Sequence, residues 1–432
     1  MTLLVISPDY ASHLFPLATL ATAWRDAGVV VATGPATDSI VRDFGFERVH
    51  LQLGRGSNPG VIRAEEQPDD EGESLRGFFA ATRRGAVETL AYQAAERGTD
   101  LLWNPVGVAR AVQDIVARVR PDHVIVDHLA FSARLALQAS GVRHGDVVLG
   151  HPSALVVGDE VYGYPPAWPR AFNPDPAALA ALRRQCEGVR DTFTAQWNEA
   201  LAVLAPGAQP SSDAFAETGD VLLLNYPAEL HPPARTALLP EHAFLGSAVR
   251  TEPRDPEVEG WLAAGGAPIV YVSLGSFLSV RSDVLARGAD ALRGLDVRVA
   301  LARGQTPLEA LGPIPESWLV RAVLPQVTLL GHSVLAVTHG GNNSVTEALT
   351  AGVPMLVLPF STDQFAGAAA IEDAGVGECL DPNAASAADL RESAARLLGL
   401  AGGARQRLDD LGRRLRETPG AAIARRALEG TP

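Results

Sequence analysis

Residues 338 to 364 read THGGNNSVTEALTAGVPMLVLPFSTDQ. A short apolar strand breaks at His339-Gly340-Gly341 and the chain restarts as a helix around Asn343. A second apolar run follows, and after it an adjacent Asp363 and Gln364. A strand that ends in glycines against a helix start aims free backbone N–H groups and the positive end of a helix dipole at one spot. Such a spot suits a phosphate.

Working outward, short Val/Ile/Leu runs alternate with longer segments of helical period, the pattern of parallel strands covered by helices on both faces. In the first half the runs are Leu3 to Ser7, Val29 to Thr33, His123 to Val126, Asp146 to Leu149 and Val221 to Leu224. In the second they are Ile269 to Leu274, Val297 to Leu301, Leu319 to Val323, Leu335 to Thr338, Met355 to Leu358 and Val376 to Leu380. This predicts an α/β protein with two Rossmann-like, doubly wound parallel sheets. Pro227 to Pro256 carries six prolines and no sustained period, so it reads as the connection. The expected division is residues 1–230, a linker at 231–256, and residues 257–432, whose Ala/Arg-rich terminal helix is expected to return to the first domain. Open parallel sheets bind ligands at the carboxyl ends of their strands, so two facing sheets make a cleft with one ligand from each side.

With 432 residues the chain is about three times the ~150 of a common domain. Lys and Arg number 36 against 50 Asp and Glu, a formal charge of -14 that repels nucleic acid and anionic lipid. A small-molecule partner is expected. Cys186 and Cys379 stand alone, so neither a disulfide framework nor a zinc site is indicated. MTLLVISPDY lacks a basic leader and its apolar stretch is strand-length, which predicts a cytoplasmic protein off the membrane, monomer or homodimer. The acidic stretch EEQPDDEGES at 65–74 reads as a solvated loop or, alternatively, a lid. Ser7-Pro-Asp-Tyr after the first strand lacks the G-x-G-x-x-G loop of dinucleotide enzymes.

Taken together, Val272-Ser273-Leu274-Gly275-Ser276, Leu324-Pro325-Gln326, His339 to Glu347 and Asp363-Gln364 resemble the nucleotide-sugar-dependent glycosyltransferases of GT-B fold, the UDP-glycosyltransferase superfamily, and within it the bacterial natural-product type. The resemblance implies that the C-terminal domain holds a nucleotide diphosphate sugar and the N-terminal domain an acceptor. It implies contacts to the diphosphate from His339, Ser344 and the amides of Gly341 to Asn343, with no metal, and places Ser276 among the residues that bind the donor. Gln326 and the backbone near Leu324 would border base and ribose. Glu347 would bind the ribose hydroxyls, favouring UDP over TDP, and Asp363 and Gln364 the transferred hexose. Ser344-Val-Thr-Glu347 and Ser361-Thr-Asp-Gln364 also read as capping boxes, in which those side chains satisfy helix ends instead. Val323 stands where plant members stack a Trp on the base.

His13, in Ser12-His-Leu-Phe-Pro-Leu17, follows the first strand and matches the family's His-x-x-Pro-Leu. Imidazole accepts a proton near neutral pH when a carboxylate fixes its tautomer. Asp127 matches the position that supplies it, and Asp122 lies at the opposite strand end. The resemblance thus implies an inverting single displacement with His13 as general base. His151, Tyr162, Tyr164 and Trp168 follow the strand ending at Leu149, where relatives line the acceptor pocket; stacking on an aglycone and ordinary packing of a Pro-rich loop are both open readings of them. A GT-B sugar-nucleotide epimerase and an inactive nucleotide-sugar-binding auxiliary protein are the rival expectations.

Overall fold

Leu3, Leu4, Val5 and Ile6 are all inaccessible to solvent, and a strand buried on both faces belongs in the middle of a parallel sheet. The computed structural model describes residues 1–430, and the side chains of all of these except 97–100. In it the strand Thr2–Ile6 (β1) is central to a seven-stranded sheet. The other members are Gly28–Thr33 (β2), Glu47–His50 (β3), His123–Asp127 (β4), Gly145–Val148 (β5), Val221–Leu224 (β6) and His242–Phe244 (β7), in the order β3-β2-β1-β4-β5-β6-β7, all parallel. The second sheet contains Ile269–Ser273 (β8), Arg298–Ala302 (β9), Leu319–Arg321 (β10), Ser333–Thr338 (β11), Met355–Val357 (β12) and Gly377–Cys379 (β13). Its order is β10-β9-β8-β11-β12-β13, again all parallel.

In each sheet the connections reverse direction beside the first strand, between β1 and β4 and between β8 and β11. Loops leaving the carboxyl ends of such a pair diverge to opposite faces and leave a crevice. The helix Ala11–Ala21 (α1) and the end of β4 flank the first crevice, and the helix Asn342–Ala351 (α4) flanks the second.

Three differences from expectation have local causes. β3 and β7 are edge strands with half-exposed residues, so neither has the unbroken apolar run that marks a central strand. β7 lies inside the stretch read as linker and pairs with β6, so the first sheet extends beyond residue 230. The acidic stretch 65–74 is a loop only to Pro68. From Asp69 it is the helix Asp69–Ala81 (α2), whose first turn holds Asp69, Asp70 and Glu71, where negative charge offsets the helix dipole. The helix Ala86–Asp100 (α3) packs against it, with Tyr92 Oη donating to the Ser74 carbonyl at 3.0 Å.

At the other end of the chain, Gly402–Glu417 (α6) packs on α4 in the second domain, and Gly420–Glu429 (α7) crosses to the first, against α1, β6 and β7. Ala424 is fully buried there. Arg425 donates to the Ala23 carbonyl at 2.6 Å and to Asp26 at 2.7 Å. A Cβ on Gly420 would fall 2.8 Å from the Leu245 carbonyl oxygen, so the two crossings of the chain between domains lie side by side.

Candidate active site

The carboxyl ends of the two sheets enclose one cavity of about 720 Å³, lined from both domains. His13 enters it from the start of α1, held by amides that pair with Tyr10 and, from Ala11, with the Asn58 carbonyl at 2.7 Å. Its Nδ1 lies 2.7 Å from Asp127 Oδ2 at the end of β4, and the other Asp127 oxygen accepts from the Leu129 N–H at 2.8 Å. Asp127 is only 1% exposed, which fixes its direction. Burial lowers the His13 pKa, but the charge and hydrogen bond of Asp127, with the charge of Asp363 further off, raise it above the usual value on balance. With Nδ1 committed to Asp127, Nε2 is left to take a proton from a bound hydroxyl.

Facing this pair is the turn after β11. His339 lies between two backbones: a Cβ on Gly275 would fall 2.6 Å from its Cε1, and one on Gly341 would overlap Nε2. Gly275 and Gly340 take φ of 71° and 83°, which side chains rarely adopt. Burial pushes the His339 imidazole down to about 4, so at neutral pH it offers a hydrogen bond without a charge. Its Nδ1 is buried and has no partner among the described residues. Beside it begins α4, whose N-cap is Gly341 with no side-chain cap, leaving the first-turn amides directed at the same spot.

The first capping box is absent. Ser344 and Glu347 stand inside α4, which starts at Asn342, so neither meets a free helix end. Glu347 is instead buried in a polar chain: Oε1 accepts from Arg250 Nη1 at 2.8 Å and Oε2 from Gln326 Nε2 at 2.6 Å. Gln326 also lies 3.3 Å from the Ser344 hydroxyl and accepts from Tyr271 Oη at 3.2 Å. Burial raises the Glu347 pKa more than Arg250 and Gln326 lower it. Leu324 is buried beside this group, and Val323 is 60% exposed at the cavity.

The second box is half formed. Gln364 Oε1 accepts from the amides of Phe360 at 2.9 Å and Ser361 at 3.2 Å, but Asp363, not Ser361, is the N-cap of the helix Gln364–Ala374 (α5). Gln364 is therefore tied to its own loop. Asp363 Oδ2 accepts from the His151 amide and its Oδ1 from the Thr362 hydroxyl at 2.8 Å. Thr362 has φ of 53°, costly for a β-branched residue.

The two domains are bolted at the helix start. Asn342 Nδ2 donates to the carbonyls of Leu149 at 2.9 Å and Asn225 at 2.8 Å, and Asn343 Nδ2 to that of Ser12 at 2.7 Å. Ser276 bonds across the same gap, accepting from Asn58 Nδ2 at 3.2 Å. The α2–α3 layer closes over the cavity, to which it contributes Glu71, Phe78 and Tyr92. The Thr82 carbonyl at its turn accepts from Arg281 at 2.7 Å and Asn383 at 3.0 Å of the second domain.

Of the four acceptor candidates, Tyr162 and Tyr164 line the cavity. Tyr162 stacks on Phe215 at 3.9 Å. Trp168 packs outside the cavity on Phe365 at 4.7 Å, and the His151 ring is turned away, its Nδ1 accepting from the Ser153 amide at 3.1 Å. Burial, with Arg235 and His231, lowers its pKa to about 3. Neither His151 nor Trp168 lines the cavity, and for these two the packing alternative fits. The sequence reading missed Arg250, Tyr271 and Asn342; Arg250 sits in a proline-rich stretch with no pattern around it. Among the described residues no group of three or more His, Cys, Asp or Glu could hold a metal ion, and no helix is long and apolar enough to cross a membrane.

Residues 187–399 match the family model described as UDP-glucoronosyl and UDP-glucosyl transferase. An NDP-glycosyltransferase of Bacillus licheniformis is 28% identical over 188 residues, 43% of this chain and 47% of the relative. The 4'-demethylrebeccamycin synthase of Lentzea aerocolonigenes is 26% identical over 90% of each chain. The chain thus spans about half the length of the first relative and nearly all of the second. Among solved structures, the glycotransferase of kitacinnamycin superposes with a TM-score of 0.68 at 20% identity, covering 99% of both chains. The glycosyltransferase VinC, solved in complex with DTDP, superposes with 0.65 at 18% identity, covering 100% of this chain and 99% of that one. At these identities the superpositions establish the GT-B fold.

Proposed function

We propose, from a chain whose residues 187–399 match the family model described as UDP-glucoronosyl and UDP-glucosyl transferase and that superposes over 99% of its length on a solved glycosyltransferase of GT-B fold, that it transfers a hexose from a nucleoside diphosphate to a hydroxyl of a small natural product, inverting the anomeric carbon. The observation that carries the reading is the His13–Asp127 pair, at 2.7 Å, across one cavity from His339 and the open N-terminus of α4. A base and an anion site on opposite walls are what a single displacement needs.

In this mechanism His13 Nε2 takes the acceptor proton as the oxygen attacks. The new C–O bond forms on the face opposite the diphosphate, and the bond to the β-phosphate oxygen breaks. The charge left on the nucleotide meets the helix amides and His339, donors that are in place before charge develops. Asp127 stabilises the imidazolium that forms. Asp363 and Gln364 border the hexose. Ser276, Ser344 and Asn343 surround the diphosphate, with Gln326 and Leu324 at the nucleoside. The protein's own donors serve the leaving group, with no metal in the scheme.

The choice of UDP over TDP rested on Glu347 as a ribose ligand. Both Glu347 oxygens already accept hydrogen bonds, and the VinC structure holds DTDP. Our reading therefore admits either pyrimidine nucleotide. The deciding experiment incubates the protein with UDP- and dTDP-hexoses and a panel of hydroxylated polycyclic acceptors, following nucleotide release and the anomeric configuration of the product. Glycoside of inverted configuration is the expected result. Epimerised donor without acceptor would replace this reading with an epimerase, and nucleotide binding without turnover on any acceptor would replace it with an auxiliary binding protein.

A further inference from the structure

Resting on the transferase reading above, we infer that His128 is a specificity residue of the acceptor pocket: its Nε2 accepts a hydrogen bond from a second hydroxyl of the acceptor, remote from the one that reacts. His128 follows Asp127 at the end of β4, and its amide still donates to the Val147 carbonyl of β5 at 3.0 Å. Successive side chains of a strand leave the sheet on opposite faces. Asp127 accordingly turns to His13, and His128 turns to Asp146 of β5, with Nδ1 3.3 Å from Oδ2. His128 lines the cavity together with Leu129, Val148 and Tyr162. No described residue bonds its Nε2, yet that atom is not sealed from solvent, and the space it opens on is the cavity.

The support behind this ring is a buried ion pair. Asp146 and Arg134, the latter in the helix Phe131–Ala139, are both shut off from solvent, and Arg134 Nε lies 2.9 Å from Asp146 Oδ2. Arg134 also donates to the carbonyls of His128, at 3.0 Å, and Glu217, and the Gly219 amide donates to Asp146 at 3.2 Å. Buried ion pairs seldom stabilise a fold more than apolar packing does. This one grips His128 at both backbone and ring. Burial alone would raise the Asp146 pKa, but Arg134 and His128 outweigh it and hold the carboxyl well below the usual range. Burial and Arg134 lower the His128 pKa against the pull of Asp146. At neutral pH the imidazole is therefore uncharged, its Nδ1 proton goes to the carboxylate, and Nε2 keeps a lone pair. So weak a base recognises a hydroxyl without taking its proton. A site built to bond a hydroxyl rejects the analogue that lacks it, because its own polar atom is then left unpaired.

The test compares each hydroxylated polycyclic acceptor that the wild type glycosylates with its mono-O-methyl ethers at the remaining hydroxyls, by kcat/KM at saturating UDP- or dTDP-hexose. One ether is expected to fall below its parent by about tenfold or more. His128→Asn keeps an amide N–H for Asp146 in the place of Nδ1 and lacks Nε2, and it should bring that ether and its parent to within about threefold. His128→Gln, whose amide oxygen reaches towards the place of Nε2, should keep part of the preference. Calorimetric titration with UDP checks that the variants hold the fold, with affinities within about threefold of the wild type. A wild type that treats every ether like its parent, or a preference that survives in His128→Asn, overturns the inference while the transfer itself leaves the proposed function standing. Should His128→Asn fail to fold, His128→Phe, which keeps a ring and lacks both nitrogens, decides by the same ratio. If the wild type glycosylates no acceptor, the transferase reading falls and this inference with it.

Discussion

Asn343 of the second domain donates its amide N–H to the carbonyl of Ser12 in the first, at 2.7 Å. Ser12 precedes the proposed base, and Asn343 stands in the first turn of the helix proposed to hold the diphosphate. This hydrogen bond, with those of Asn342 to Leu149 and Asn225, thus helps to set the distance between the proposed base and the helix start. Asn343→Ala should lower kcat by about 10²-fold, the cost of misplacing a reacting group by about an ångström, while nucleotide affinity stays within about threefold. Steady-state kinetics beside calorimetry separates the two, and an equal loss in both would make Asn343 a simple nucleotide contact.

The base itself has a pH signature. Because the His13 pKa is raised, kcat/KM should fall with acid along a limb whose midpoint lies above 6.5. Asp127→Asn removes the charge that raises it, so that midpoint should move down and kcat should drop. His13→Ala should lose roughly 10²- to 10⁴-fold. A pH–rate profile of the three proteins checks all of this, and full turnover by His13→Ala would end the assignment.

The glycines around His339 make a finer probe. Gly341 has ordinary backbone geometry, so Gly341→Ala adds only a methyl against the imidazole. Nucleotide affinity should fall about tenfold or more with little change in melting temperature. Gly275→Ala meets the same ring from a φ of 71° and should also cost about 1–2 kcal/mol of stability. Thermal melting with and without UDP distinguishes these outcomes.

Buried histidines make the fold acid-sensitive. His151 and His339 have folded pKa values of about 3 and about 4, below the 6.5 of an unfolded chain, so the unfolded state binds protons first as pH falls. Stability should drop from pH 6.5 towards 4, by about 1.4 kcal/mol per group per pH unit. Denaturant unfolding at pH 7.5 and 5.5 measures the slope. His151→Asn should flatten it, and an unchanged slope would remove His151 from the account.

Much of this architecture is legible in the sequence because central parallel strands are buried on both faces, as Leu3 to Ile6 and Val270 to Ser273 are, and so read as apolar runs. Edge strands are not: Glu47–His50 is at least partly exposed at every position, and His242–Phe244 hides among prolines. The turn after β11 is legible in His339-Gly-Gly because Gly340 takes a φ of 83° and a Cβ on Gly341 would overlap the His339 ring. The capping boxes mislead because their spacing is also that of neighbours on one helix face. Only the true helix start, at Asn342, tells which is meant. Arg250 is illegible because its partners, Phe15, Glu252 and Glu347, are brought together by the fold alone.

α7 has a mechanical consequence. The chain passes between the domains twice, and the second passage, at Gly420, runs against the backbone of the first at Leu245 and Ser247. Two tethers side by side act as a pin: they leave rotation about a single line and suppress twist and slide. On the proposed function, opening for ligand exchange would swing the Asn342 and Asn343 contacts apart along one arc, and reclosing would return His13 to the same place.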